Sequence, residues 1–251
     1  MKKVIVLNKK EGETPLEAME AFRASNKQYK DFKMTYAGRL DPMASGLLLV
    51  LVGDEVKNKE KYLKLNKKYD FEILFGFATD TYDVLGKVVK TKKINFKKEE
   101  IEKNIKRELK NFKGKIVQTY PIYSSKTVLG KPLFSYARSG QKVDIPKKEV
   151  HIKTLKLNKI KTIRGSKLKN DINKRILKVR GDFRQSSILK VWNKKIDENS
   201  LYFIASMQVS CSSGTYVRSI SDSLGQKINA PGIAWSIKRV SIGNFGGLHQ
   251  K

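Results

Sequence analysis

Residues 35–53, TYAGRLDPMASGLLLVLVG, decide how the rest of the chain is read. Residues 47–52 form an unbroken apolar run closed by Gly53. Such a run is either a buried strand or the tail of a buried helix, because periodicity does not separate the two. In front of it a single carboxylate, Asp41, stands between Leu40 and Pro42. Proline biases the residue before it away from helical backbone and suits a first helical position. Asp41 is therefore placed at a sharp turn, flanked by Gly38 and Gly46 and two residues from Arg39. Two readings follow. A carboxylate fixed at a glycine-lined turn and facing a basic cleft is a candidate nucleophile. An aspartate before proline at a helix start is also a common cap, contributing about 1 kcal/mol. The remainder of the chain has to choose between them.

The chain has 251 residues, enough for a substantial core in one large domain or two small ones. Hydrophobic residues make up 39% and charged residues 31%, which is globular with a heavily charged surface. Lys+Arg 53 against Asp+Glu 24 leaves a net charge of +29. Self-repulsion of that size points to a polyanionic partner, and nucleic acid is the first candidate. A generally lysine-rich proteome is the other source of such charge, and KTKKINFKK at residues 90–98 has the look of solvated decoration. One cysteine, Cys211, excludes an intrachain disulfide and fits a reducing cytoplasm. His151 and His249 are isolated, so no metal site is expected. The opening MKKVIVLNKKEG lacks the long apolar core of a secretory signal, and no apolar run is long enough to span a bilayer.

Along the chain, residues 4–7 read as a short strand and Thr14-Pro15 as a helix start, with Leu16, Met19 and Phe22 on one face. Residues 57–68 read as a short basic helix or linker. YDFEILF, residues 69–75, fits a strand, and TDTYDVLG, residues 79–86, is rich in turn formers. A strand through Val88 and Val89 follows. Ile101, Ile105, Leu109 and Phe112 recur at helical spacing, with Gly114 as the stop. Residues 117–143 read as irregular, with Tyr120, Tyr123, Phe134 and Tyr136 interleaved with Lys126, Lys131, Arg138 and Lys142. That mixture suits base stacking with phosphate contact, or else aromatics packed back on the core. Residues 149–157 read as a strand, residues 159–178 as a mobile basic loop, and residues 202–210 as a strand. CSSGTYVRSISDSLG, residues 211–225, reads as strand, glycine turn and helix, with Thr215 as cap. Arg218 then falls in the first helical turn, a poor place for a cation by the helix dipole. It is either matched by an anion, such as Asp41 or a phosphate, or simply exposed. WSIKRV, residues 235–240, is the last expected strand.

Several of these separated stretches agree with one family. GRLDPMASGLL around Asp41, KKYDFEILFGFATDTYDVLGKVV from Lys67, YSSKTVLGKPLFSYARSG from Tyr123, VSCSSGTYVRSISDSLG from Val209 and the strand reaching Arg239 occur in its order and near its spacing. On them the chain resembles the TruB-type tRNA pseudouridine synthases. The resemblance implies isomerisation of a uridine in RNA to pseudouridine, in the T-loop of tRNA, with no metal or cofactor. It places Asp41 as the nucleophile, Arg218 as the arginine paired with it and Tyr69 as the tyrosine stacked on the base. Tyr216 and Ile237 fall at pocket positions, and residues 120–140, with Lys126 and Arg138, where the family has its RNA-gripping loop. The chemistry agrees with the residues: a base inside a folded loop has to be flipped out, which needs a basic groove and an aromatic floor.

Three departures accompany the resemblance. Tyr36 replaces the histidine expected just before the aspartate motif, so an aromatic wedge would serve base flipping. The lysine-rich residues 159–195 are a longer insertion than the family's loop. The chain stops soon after the last strand, so the family's extra C-terminal RNA-binding domain is expected to be absent, with the high positive charge partly compensating. The fold expected is α+β, a mixed and largely antiparallel sheet flanked by helices with a basic RNA-binding cleft. It forms a single catalytic domain over residues 1–251, monomeric and cytoplasmic. The competing functions are a non-catalytic RNA-binding or RNA-folding protein on the same scaffold, and a synthase acting on ribosomal RNA.

Overall fold

The computed structural model describes residues 2–246; His249 lies outside them. In chain order the strands are β1 (Val4–Lys9), β2 (Met34–Ala37), β3 (Ala44–Val52), β4 (Lys67–Phe75), β5 (Phe77–Thr79), β6 (Val88–Thr91), β7 (Gly114–Thr119), β8 (Thr127–Val128), β9 (Lys131–Pro132), β10 (Lys147–Arg164), β11 (Leu201–Cys211) and β12 (Gly232–Ile242). The helices are α1 (Pro15–Ser25), α2 (Lys59–Leu63), α3 (Lys98–Leu109), α4 (Leu133–Ser139), α5 (Gly165–Leu177), α6 (Gln185–Lys195) and α7 (Val217–Lys227).

An eight-stranded sheet runs β1-β3-β12-β4-β11-β10-β7, with β2 added on β3. Its pairings are antiparallel except β12 on β3, which is parallel. The strand alternation sends successive side chains to opposite faces, and each face has its own core. Phe71, Ile73, Met207 and Val209 pack with Ile101 and Ile105 of α3 and Ile220 and Leu224 of α7. Leu74, Ile204 and Ile233 face the other way and pack with Leu168 and Ile172 of α5 and Ile188 and Trp192 of α6.

Helix α1 starts where Thr14-Pro15 predicts. The Thr14 hydroxyl accepts from the Glu17 amide, and the Glu17 carboxylate accepts from the Thr14 amide. Met19 is buried there, but Leu16 is 53% exposed. The apolar run at residues 47–52 is a strand, β3, and no helix begins at Pro42; the Asp41 carbonyl instead accepts from the Ala44 amide in a turn. The region of residues 117–143 is more ordered than its composition predicts, holding the β8–β9 hairpin and α4, which ends on Gly140 in left-handed backbone.

The largest correction concerns residues 159–178. They complete β10 and form α5, followed by α6, rather than a mobile loop. Leu168, Ile172 and Ile176 recur every fourth residue and are fully buried. Trp192 of α6 is also fully buried, and its indole N–H donates to the carbonyls of Val84 and Gly86, 3.1 Å from each. Helices α5 and α6 therefore form a layer seated on the turn that follows β5.

Candidate active site

The glycine-lined turn before β3 is held from several sides. Gly46 adopts φ +103°, and a side chain there would run into the backbone of Arg239 on the parallel strand β12. The Arg239 side chain, 1% exposed, reaches back over the turn and donates to the carbonyls of Leu47 at 2.8 Å, Gly38 at 3.0 Å and Arg39 at 3.3 Å. The turn's other flank is fastened by the Gly12 amide, which donates to the Pro42 carbonyl at 2.9 Å. Asp41 is thus carried on a loop with little freedom to move.

Arg218 meets it from α7. Its Nε donates to Asp41 Oδ2 at 2.8 Å and its Nη2 to Asp41 Oδ1 at 3.1 Å, a two-pronged charge-assisted pair. Two further hydrogen bonds fix it: Nη1 on the Thr81 carbonyl at 2.7 Å and Nη2 on the Tyr123 carbonyl at 3.3 Å. The Arg218 side chain is 3% exposed whereas that of Asp41 is 38% exposed. The cation is sealed in the protein and the carboxylate is open to the cavity, which is the arrangement a nucleophile needs. Burial opposes the charge on Arg218, but Asp41 and Asp83 outweigh it and hold its pKa above the ordinary value. Thr215 does not cap α7; Tyr216 occupies that position, and the Thr215 hydroxyl donates to Ser212 instead.

The cavity in front of Asp41 measures about 680 Å³. Tyr36, Tyr69, Arg138, Tyr216, Arg218 and Ile237 line it together with Asp41. Tyr69, on β4, is 9% exposed, and burial raises its phenol pKa so that it stays neutral. Tyr216 is shifted up for the same reason and packs edge-on against Tyr120, ring centres 5.5 Å apart. Ile237 lies beside Ala44 in the β12–β3 pairing. Tyr36 carries Arg39 and Lys59 over its ring, at 5.9 and 5.8 Å. Lys126 is not part of the lining, nor are Tyr120, Lys131, Tyr136 and Lys142 of the same stretch. Lys126 is exposed and sits 5.7 Å from the centre of the Tyr120 ring.

Two residues enter that the sequence reading did not single out. Asp83, 5% exposed, places Oδ2 3.8 Å from Arg218 Nε, while its Oδ1 accepts from the Thr81 hydroxyl at 2.6 Å and the Leu85 amide at 3.0 Å. Burial pushes its pKa up to about 6, against the pull of Arg218. It lies within the TDTYDVLG turn, but nothing in that string says which acid turns inward. Arg184, from the segment between α5 and α6, also lines the cavity; it fell within the lysine-rich stretch of residues 159–195, where the sequence offered nothing to separate it from the other cations.

Among the described residues no group of three or more His, Cys, Asp or Glu could hold a metal ion, and no helix is long and apolar enough to cross a membrane. A profile of the TruB family pseudouridylate synthase N-terminal domain matches residues 25–175. The tRNA pseudouridine synthase B of Lactobacillus acidophilus is 34% identical over 244 residues, covering 96% of this chain and 69% of that protein. Those of Clostridium kluyveri and Ligilactobacillus salivarius are 30% and 32% identical, each over 96% of this chain and 68% of theirs. Among solved structures, a chain of a Cbf5-Nop10-Gar1 complex superposes with a TM-score of 0.56 at 17% identity, over 97% of this chain and 49% of that one. A chain of an H/ACA RNP bound to a substrate RNA containing 2′-deoxyuridine gives 0.52 at 16% identity, over 97% and 48%. The present chain spans about half the length of these two solved chains, and the likeness to them is one of fold.

Proposed function

The chain belongs to the TruB family of pseudouridylate synthases, and from that premise we propose that it isomerises a uridine in the T-loop of tRNA to pseudouridine, with Asp41 as nucleophile. The observation that carries the proposal is the open Asp41 carboxylate gripped through both oxygens by a sealed Arg218. Arg218 aims the carboxylate through that two-pronged grip. The uridine has to leave its stack to reach it, and the cavity is of a size for one base with its ribose. Tyr69, neutral and set in the cavity wall, offers the stacking face. Tyr216 and Ile237 close the pocket around the base.

The bond between N1 and C1′ breaks, C5 joins C1′, the C5 proton leaves and N1 gains one. The sum is an isomerisation and calls for no oxidant or co-reactant. Tyr36, under Arg39 and Lys59 at the cavity mouth, serves as the wedge that takes the place of the flipped base. Arg39, Lys59 and Arg138 around that mouth form the basic cleft for the RNA backbone, and residues 120–140, with Lys126, form the gripping loop. The unit works as a monomer in the cytoplasm, residues 1–251 acting as one catalytic domain.

Asp41→Asn is the decisive experiment. On an unmodified tRNA transcript it should bind with an affinity close to wild type and form no pseudouridine. Product at the wild-type rate would remove Asp41 from the chemistry. Mapping pseudouridine along tRNA and ribosomal RNA incubated with the wild-type protein tests the substrate and the position.

A further inference from the structure

We propose that Arg184, carried by the two-helix insertion, is a positioning residue for the reaction, holding Tyr123 so that the Tyr123 carbonyl keeps Arg218 on Asp41. The proposal rests on the reading of Asp41 and Arg218 as the catalytic pair. It starts from a backbone oddity. Arg184 sits at φ +66°, left-handed backbone that side chains other than glycine rarely adopt. It is held there by its own contacts. Its amide donates to Asp182 Oδ1 at 3.1 Å, and its Nη1 donates to Asp80 Oδ2 at 2.8 Å. Its guanidinium lies 4.2 Å from the centre of the Tyr123 ring. The side chain is only 22% exposed, so this is a stacked and paired arginine rather than a solvated one.

Both of its partners are anchored. Asp80 Oδ1 accepts from the Lys87 amide at 2.8 Å, within the turn that Trp192 holds from beneath. Tyr123 passes the constraint on, because its carbonyl accepts from Arg218 Nη2 at 3.3 Å. A second tie runs parallel: Arg138 Nη2 donates to the Asp182 carbonyl at 2.7 Å. The insertion therefore reaches the reacting carboxylate through a continuous set of contacts, Arg184 to Tyr123 to Arg218 to Asp41. It is fixed to the sheet by a buried core of its own. A guanidinium supplies both the flat stack and the charge pair, whereas lysine supplies only the second.

The test uses Arg184→Gly, because glycine suits the left-handed backbone and removes the side chain without straining the fold. With an unmodified tRNA transcript, the single-turnover rate of pseudouridine formation should fall about 10- to 100-fold, with tRNA Kd within about 2-fold of wild type and Tm little changed. Arg184→Lys should recover part of the rate. In combination with Tyr123→Ala the loss should be no greater than that of the slower single variant, since both act through one contact. An undiminished rate in Arg184→Gly, with active wild-type protein, overturns this inference alone. So does a weakened Kd with an unchanged rate and a salt slope lowered by about 1, which marks a direct phosphate contact. A wild-type protein that makes no pseudouridine overturns the premise and this inference with it.

Discussion

Arg218 stands between two carboxylates of unequal exposure, and the inequality assigns them different work. Asp41 opens on the cavity, while Asp83 is buried against Thr81 and Leu85. Replacing Arg218 by Lys keeps a positive charge but loses the two-pronged grip, so the rate of pseudouridine formation should fall about 100-fold while the fold survives. Asp83 makes a pH prediction. A carboxyl whose pKa is higher folded than unfolded takes up protons preferentially in the folded chain, so its contribution to stability falls as pH rises from the ordinary aspartate range through about 6. Asp83→Asn lacks that loss. Its stability relative to wild type should climb between pH 4 and pH 7, by on the order of 3 kcal/mol at most, measured by urea melts across the range. Asp222, also raised to about 6 by burial, titrates in both proteins and leaves part of the slope in each. A flat difference would show that Asp83 ionises normally. At this scale Asp41, Tyr69 and Arg218 were legible in the sequence. Asp83 and Arg184 were not, because burial and stacking are made by neighbours remote in the chain.

Among the elements, α1, β4 and α3 follow from local signals: a cap with proline, an alternating strand and a stripe of Ile101, Ile105 and Leu109. Helix α5 carried an equally regular stripe at Leu168, Ile172 and Ile176, but the density of lysine around it read as a loop. The helix is made by what its stripe covers, and that partner, the second face of the sheet, is assembled from β4, β11 and β12. Trp192→Ala in α6 should therefore cost about 3–5 kcal/mol. It should lower Tm by roughly 10 °C, with calorimetry as the measurement; a change of a degree or two would mean that the insertion is not part of the core. Gly46→Ala strikes the other anchored element, since both its φ of +103° and the Arg239 backbone leave no room. It should reduce activity as well as stability, because the same contact seats the Asp41 turn.

For the whole molecule, the charge of +29 sets the terms of substrate capture. Affinity for tRNA should fall steeply with salt, the slope of log K against log salt corresponding to at least about six phosphates. A slope near 1 would reject an electrostatic grip. Asp41→Asn should show the same slope as wild type, because the role proposed for that carboxylate is at the flipped nucleoside and not at the phosphates.

What the sequence determined by itself was chemical and local. It supplied an acid at a proline turn, an arginine at a helix start where a cation is disfavoured, aromatic residues among lysines, and motifs in a recognisable order. Tertiary structure decided which of these meet. Asp41 and Arg218 are 177 residues apart and share two hydrogen bonds. Asp182, Phe183 and Arg184, between two helices of which the first was read as loop, supply a wall of their cavity. Contact and burial are properties of the packed whole, summed over segments that a linear string keeps apart, and they alone fix which carboxylate is open, which is shifted, and which arginine holds the others in place.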